Sequence, residues 1–287
     1  MPVPPTTTAA DTLADVDYEF LRKLVYEHSR INLGSDKRAL VSGRVAKRLR
    51  VLKIGGYHEY CQLLKTAAGG EELGNLVDVI STNHTHFFRE EKHFDWLWSV
   101  LLPHWRLCNA GREPFRAWSA ASSSGEEPYT LAIVLAEFFG PDGKWTIDAT
   151  DISTRILERA GQAIYDAEKL APVSPELLHR YFQRGVGRFA GQFRVKEQLR
   201  QRVSFQHLNL LQPQYPFAQR FHLIFCRNVM IYFDRPTQET LIAKLTEQLE
   251  PGGHLLVGHS ESLSGVRHSL QQLQPAIYLK PAAPPRR

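Results

Sequence analysis

From position 115 onward the chain alternates short apolar runs with helical stretches, and that alternation leaves few folds open to it. The apolar runs fall at 115–121, 145–150, 203–208, 221–225, 254–258 and 276–279. Helical patterns cover 127–139, 153–163 and 236–249. Strand and helix alternating in this way predict an α/β fold with a doubly wound, mostly parallel sheet. The last run is expected to close the sheet as an antiparallel strand. Residues 170–202 break the alternation: Gly185, Gly187 and Gly191 precede the alternating run Phe193-Arg194-Val195-Lys196. A small antiparallel hairpin inserted between the second and third strands is expected there.

The N-terminal part reads differently. Tyr18, Leu21, Leu24 and Val25 recur at helical spacing, and Ser35-Asp36 is placed to cap a following helix. That helix carries Leu40, Val41, Val45, Leu49 and Leu52 on one face, with Gly55-Gly56 as its stop. Further helices are expected over 57–67 and 71–82, separated by Gly69-Gly70. The expected organisation is a disordered tail over 1–15, a small all-helical domain over 16–80, a linker over 81–98, a sheet domain over 99–280 and a tail over 281–287.

Composition narrows the function classes. The first ten residues are rich in Pro and Thr and lack the basic and apolar regions of a signal peptide. No apolar run approaches the roughly 18 residues that span a bilayer. A cytoplasmic protein without direct membrane insertion is expected. Cys61, Cys108 and Cys226 stand far apart, which argues against disulfides and against a CxxC zinc site. His84 and His86 flank Thr85 with no further ligand set nearby, so no metal is expected. A net charge of +5 suits any acidic partner. Aromatic and basic residues do not interleave as a stacking platform requires, so no nucleic-acid partner is expected.

Ligands of open parallel sheets bind outside the carboxyl ends of the strands. The first strand runs into Ser119-Ala120-Ala121-Ser122-Ser123-Ser124-Gly125-Glu126-Glu127, whose small residues let a ligand approach the backbone. The second ends at Asp151, placed either to accept ribose hydroxyls or to cap the next helix. The third ends at Asn209-Leu210, for an adenine edge and ring, or a simple turn. The fourth ends at Cys226-Arg227-Asn228, and Tyr232 follows one helical turn later, lining the cleft or the core. The chain contains no phosphate-binding GKS/T, no HExxH and no Ser-His-Asp order. An adenosine derivative without phosphates fits best.

The stretches Asn83-His84-Thr85-His86-Phe87-Phe88-Arg89-Glu90, Trp118 to Tyr129, Ala149-Thr150-Asp151-Ile152, Phe225 to Asp234, Pro251-Gly252-Gly253 and Gly258-His259-Ser260-Glu261 resemble, in order, the CheR family of chemotaxis receptor methyltransferases. The resemblance covers about residues 16 to 280. It implies a helical N-terminal domain and a class I methyltransferase domain carrying an inserted β-subdomain. It also implies S-adenosylmethionine held by Asn83, Thr85, Arg89, Glu126, Asp151, Asn209, Leu210, Arg227 and Asn228, with S-adenosylhomocysteine as product. Arg89 and Tyr232 would lie nearest the transferred methyl. The implied substrates are glutamate carboxylates on the cytoplasmic methylation helices of receptors, with the enzyme recruited to membrane receptor arrays. Arg44, Lys47, Arg48 and Arg50 would face an acidic receptor helix; a solvated basic face is the alternative. In some family members the β-subdomain captures a receptor C-terminal tail. Gly191, Arg188 and Arg194 would serve that role here, unless the hairpin is merely solvated.

Overall fold

The computed structural model describes residues 12–67, 69–81, 83–109 and 112–282. Parts of the expected tails, and the helix end expected at Thr82, lie outside the described residues. The chain forms two compact units: the described residues up to Ser81 together with Tyr232–Asp234, and the remainder.

The first unit is helical: α1 (Asp15–Ser29), α2 (Arg38–Leu52), α3 (Tyr57–Leu64) and α4 (Gly69–Ile80). Each buries one stripe at the spacing that brings side chains onto one helix face. Tyr18, Leu21 and Val25 from α1, Val41, Val45 and Leu49 from α2, Tyr60, Cys61 and Leu64 from α3, and Leu76 and Ile80 from α4 share one core. Removing such side chains from water is worth roughly 1.5–3 kcal/mol each. Leu40 turns outward at 38% exposure, because the buried stripe repeats at 41, 45 and 49. Neither expected boundary signal of α2 is used as anticipated. A 3-10 turn over Ser35–Lys37 leads into the helix without a side-chain cap. Lys53, ahead of Gly55-Gly56, takes the left-handed C-cap position with φ 57°.

The carboxylates of Asp17, Glu72 and Asp78 are buried among these helices. Glu72 receives a two-pronged bond from Arg48 (2.8 and 2.5 Å), the Tyr60 hydroxyl (2.8 Å) and Asn75 Nδ2 (3.1 Å). Arg44 donates to the carbonyls of Ile80 and Ser81, two orphan acceptors at the end of α4.

The second unit opens with a helical stretch: α5 (Lys92–Trp96), a π turn over Leu97–Leu101, and α6 (Leu102–Asn109). Helix thus begins inside the expected 81–98 linker. The sheet follows: β1 (Phe115–Ala120), α7 (Glu126–Phe139), β2 (Trp145–Asp151), α8 (Thr154–Gln162), then the insert. Beyond it come β6 (Val203–His207), β7 (Phe221–Cys226), α11 (Arg235–Gln248), β8 (Leu249–Val257), β9 (Gln271–Gln274) and β10 (Ile277–Leu279). The strand order is β6-β2-β1-β7-β8-β10-β9, parallel from β6 to β8, with β10 antiparallel to both of its neighbours. This is a doubly wound sheet closed by one reversed strand. The connection reverses direction between β1 and β7, the switch point where such sheets bind ligands. The polar strand β9 is fully exposed and carries no apolar alternation, so periodicity could not reveal it.

The insert is a three-stranded antiparallel sheet, not a hairpin. β5 (Gln192–Val195) lies between β3 (Ile164–Asp166) and β4 (Phe182–Arg184), with α9 (Pro175–Tyr181) before β4 and α10 (Glu197–Arg200) after β5. The extra strand begins two residues after α8 and is only three residues long, too short to show a period.

Candidate functional site

The loop after β1 packs its small residues into an unusual backbone. Ala121 (φ 63°), Ser123 (φ 51°) and Gly125 (φ 93°) all adopt left-handed conformations. Such conformations cost energy for non-glycine residues, and clusters of them mark functional loops. Gly125 cannot be replaced: a Cβ there would lie 2.7 Å from Tyr165 Oη and 3.1 Å from Ala160 Cβ. Asp151, 5% exposed, holds this loop over the end of β2 by accepting from Ser123 N–H (2.9 Å) and Ser153 N–H (3.0 Å). The cap of α8 is Ser153, whose Oγ accepts from Ile156 N–H, so Asp151 is not the helix cap. Ser122 Oγ is buried in the same loop without a protein partner.

Behind this loop lies a buried polar cluster. Glu126 is fully buried, pairing with Lys169 and accepting from Ser124 Oγ (2.6 Å). Glu127 accepts from Ser119 Oγ (2.7 Å) and Arg227 Nε (2.8 Å). Arg227 leaves only 1% of its side chain exposed, flanked by the rings of Phe94 and Phe225. Its Nη1 donates to the Arg89 carbonyl (2.7 Å) and to His93 Nδ1 (3.1 Å), and it lies 3.5 Å from Glu90. Arg227 thus fixes the turn through Arg89 and does not reach into solvent. That turn is strained, with φ of 54° at Phe88 and 58° at Glu90, and it carries Arg89, whose guanidinium donates to the His84 carbonyl (2.7 Å).

Glu261 organises the end of β7. Its carboxylate accepts from the N–H groups of Gly258, Asn228, Val229, Met230 and Ile231, at 2.7–3.3 Å. Converging N–H groups form a concavity for an anion, and here the protein's own side chain fills it. Burial raises the Glu261 carboxyl, opposed by these donors. Asn228 sits at φ 59°, its Nδ2 3.4 Å from Glu90 Oε1.

The other sequence-derived residues distribute as follows. Asn83 accepts on its carbonyl from Ser123 Oγ (3.1 Å), which joins its segment to the loop after β1, and Thr85 is half-buried two residues on. Asn209 Oδ1 accepts from Leu211 N–H (2.9 Å) in a turn, while Leu210 is buried beside it. Tyr232 groups with the helical unit, its carbonyl accepting from Asn32 N–H (2.8 Å). Of the basic residues on α2, Lys47 and Arg50 are exposed, whereas Arg44 and Arg48 are held by the internal partners described above. Gly191 (φ 86°) precedes the central strand β5, which carries Arg194; the open edges of the insert belong to β3 and β4. Sequence reasoning gave no role to Glu90, His93, Glu127, Tyr165 or Lys169.

Glu90, His93 and His259 bring one donor atom each within 4.8 Å of one another. Proton placement opposes a cation there. Arg227 donates to His93 Nδ1, which leaves the ring proton on Nε2, and the guanidinium itself stands against Glu90. Burial first, then the charges of Arg227 and His259, push the His93 imidazole down to about 3.

Sheet order, switch-point loop and strand-end acid together define an open doubly wound α/β domain whose ligand cleft falls at the carboxyl ends of its strands. The chain belongs to the CheR methyltransferase family: its SAM-binding domain matches residues 83–279 and its all-alpha domain residues 16–81. A chemotaxis protein methyltransferase of Borreliella burgdorferi is 40% identical over 265 residues, covering 91% of this chain and 92% of the relative. That of Salmonella typhimurium is 40% identical over 255 residues, covering 88% and 86%. Chemotaxis protein methyltransferase 2 of Pseudomonas aeruginosa is 40% identical over 263 residues, covering 91% and 92%. No described helix is long and apolar enough to cross a membrane.

Proposed function

We propose that this methyltransferase moves a methyl group from S-adenosylmethionine to glutamate side-chain carboxylates of chemotaxis receptors, giving glutamyl methyl esters and S-adenosylhomocysteine. The carrying observation is a strand-end site suited to an adenosine ligand, in which the buried histidine is held neutral by burial and by Arg227. A carboxylate nucleophile is already ionised at neutral pH, so such a site needs no general base.

The residues present fit the cofactor. Asp151 stands as a buried carboxylate at the end of β2, Ser122 Oγ is a buried polar atom without a protein partner, and Leu210 offers an apolar surface for the adenine. Asn83, Thr85, Asn209 and Asn228 would complete the cradle, with Glu126 and Arg227 shaping it from behind. When bound, the cofactor supplies an electrophilic methyl on a sulfonium. The protein's part is then positioning and exclusion of water, since attack by a carboxylate on a sulfonium neutralises charge. Arg89 orients the incoming carboxylate. Lys47 and Arg50 supply the exposed positive charge for an acidic receptor helix; Arg44 and Arg48 hold that helix face in place. A receptor tail would pair along an edge of the insert, with Gly191 and Arg194 shaping the neighbouring strand.

The test is transfer of radiolabelled methyl to receptor-containing membranes, followed by mild base. The expected result is volatile methanol from a glutamyl ester. Label that stays on the protein through base treatment would point to N-methylation and sink this reading.

A further inference from the structure

The insert reaches the cofactor loop through two side chains that no motif marks. β3 contributes Tyr165, 1% exposed, whose hydroxyl donates to the Ser124 carbonyl (2.8 Å). The same hydroxyl lies where a Cβ on Gly125 would point, so the left-handed glycine and the tyrosine close on each other. The following turn, Ala167–Leu170, contributes Lys169, whose ammonium pairs with the fully buried Glu126. The other Glu126 oxygen accepts from Ser124 Oγ (2.6 Å). Three consecutive loop residues, Ser124, Gly125 and Glu126, are therefore fixed by the insert. A second line of contact runs through Phe87, whose ring meets Tyr165 edge-on at 5.0 Å and Phe182 of β4 at 5.6 Å. Phe87 immediately precedes the strained turn that carries Arg89.

We propose that Tyr165 and Lys169 are positioning residues for the cofactor loop, which makes the insert part of the cofactor site and not only a platform for a peptide. The inference rests on the cofactor reading above. A buried carboxylate without a partner is costly enough to rearrange or protonate, so loss of Lys169 releases Glu126 and the loop with it. Loss of the Tyr165 hydroxyl leaves the Ser124 carbonyl without its donor and frees the loop backbone at one point. Neither side chain is assigned to the reacting atoms. The expected signature is therefore weaker cofactor binding with near-normal turnover at saturation.

The experiment is calorimetric titration of S-adenosylhomocysteine into the full chain, with Kd, the KM for S-adenosylmethionine and kcat compared across variants. Lys169→Met is expected to raise Kd by about tenfold and Tyr165→Phe by about fivefold, each with kcat within about twofold of wild type. Lys169→Arg, which keeps the charge, is expected to recover most of the affinity. A purely structural role predicts a lower Tm with Kd unchanged, and that result overturns the inference. If Lys169→Met does not fold, Tyr165→Phe, which removes a single oxygen, carries the test by the same criteria. A wild-type chain that binds no S-adenosylhomocysteine overturns the cofactor reading and this inference together. Wild-type binding with unchanged variants overturns the inference alone.

Discussion

The helical unit and the strand ends of the sheet unit bury carboxylates in different ways. Among the helices, Glu72 is met by side chains: the Arg48 fork, the Tyr60 hydroxyl and Asn75. At the strand ends, Asp151 and Glu261 are met largely by backbone N–H groups, and Glu126 and Glu127 by one cation and one hydroxyl each. The first arrangement ties helices together with all its partners internal. The second fixes loop backbones into left-handed conformations that they would not hold alone. Buried ion pairs seldom add much net stability over apolar packing, but breaking one is expensive. Their use at the strand ends is to hold a shape.

Arg227→Met presses hardest on this difference. It leaves Glu127 and Glu90 without their cation and removes the donor to the Arg89 carbonyl. Urea denaturation is expected to show a loss of about 3–5 kcal/mol. A loss below about 1 kcal/mol would mean the cluster is solvated and the strand-end arrangement is not special. Arg48→Met is the counterpart among the helices. Because the Arg48 side chain keeps 18% of its surface exposed, a smaller loss of about 1–3 kcal/mol is expected. The double variant Arg48→Met/Glu72→Leu should recover most of it, as no charge is then stranded. If the double variant is no better than the single, Glu72 does more than balance Arg48.

The smallest effect concerns pH. His93 is held at about 3 in the fold, below its ordinary value of 6.5, by burial and by Arg227. The unfolded chain therefore binds a proton that the folded chain refuses. Its contribution is complete above about pH 6.5 and is lost progressively as pH falls toward 3. Between pH 7.5 and 5.5 this should remove about 1 kcal/mol. His254, lowered to about 4, acts with the same sign, so the measurement is the difference between wild type and His93→Gln across that range. Parallel pH profiles for the two proteins would show that His93 takes up its proton in the folded state.

Much of the fold was legible in the chain because its periods are long and repeated. Helical stretches between successive apolar runs require crossovers and hence a mostly parallel sheet, and the stripes at 18, 21, 25 and 41, 45, 49 require helices packed on one side. Short elements escaped: β3 has three residues, and β9 (Gln271–Gln274) has no buried face from which to read a period. The loops at the strand ends could be placed because each apolar run shows where its strand stops. The sequence could not tell Asp151 from a helix cap; the structure gives that cap to Ser153.

The sequence by itself determined the class of fold and where its strands end, since both follow from hydrophobic spacing. Only the tertiary structure decided which polar groups hold the strand-end loops in shape. Arg227 lies 100 residues from Glu127 and 138 from the Arg89 carbonyl, and Lys169 lies 43 from Glu126. Such pairs leave no period in a sequence. They form because burying an unmatched charge is so unfavourable that the fold must bring a partner to it, from wherever along the chain that partner stands.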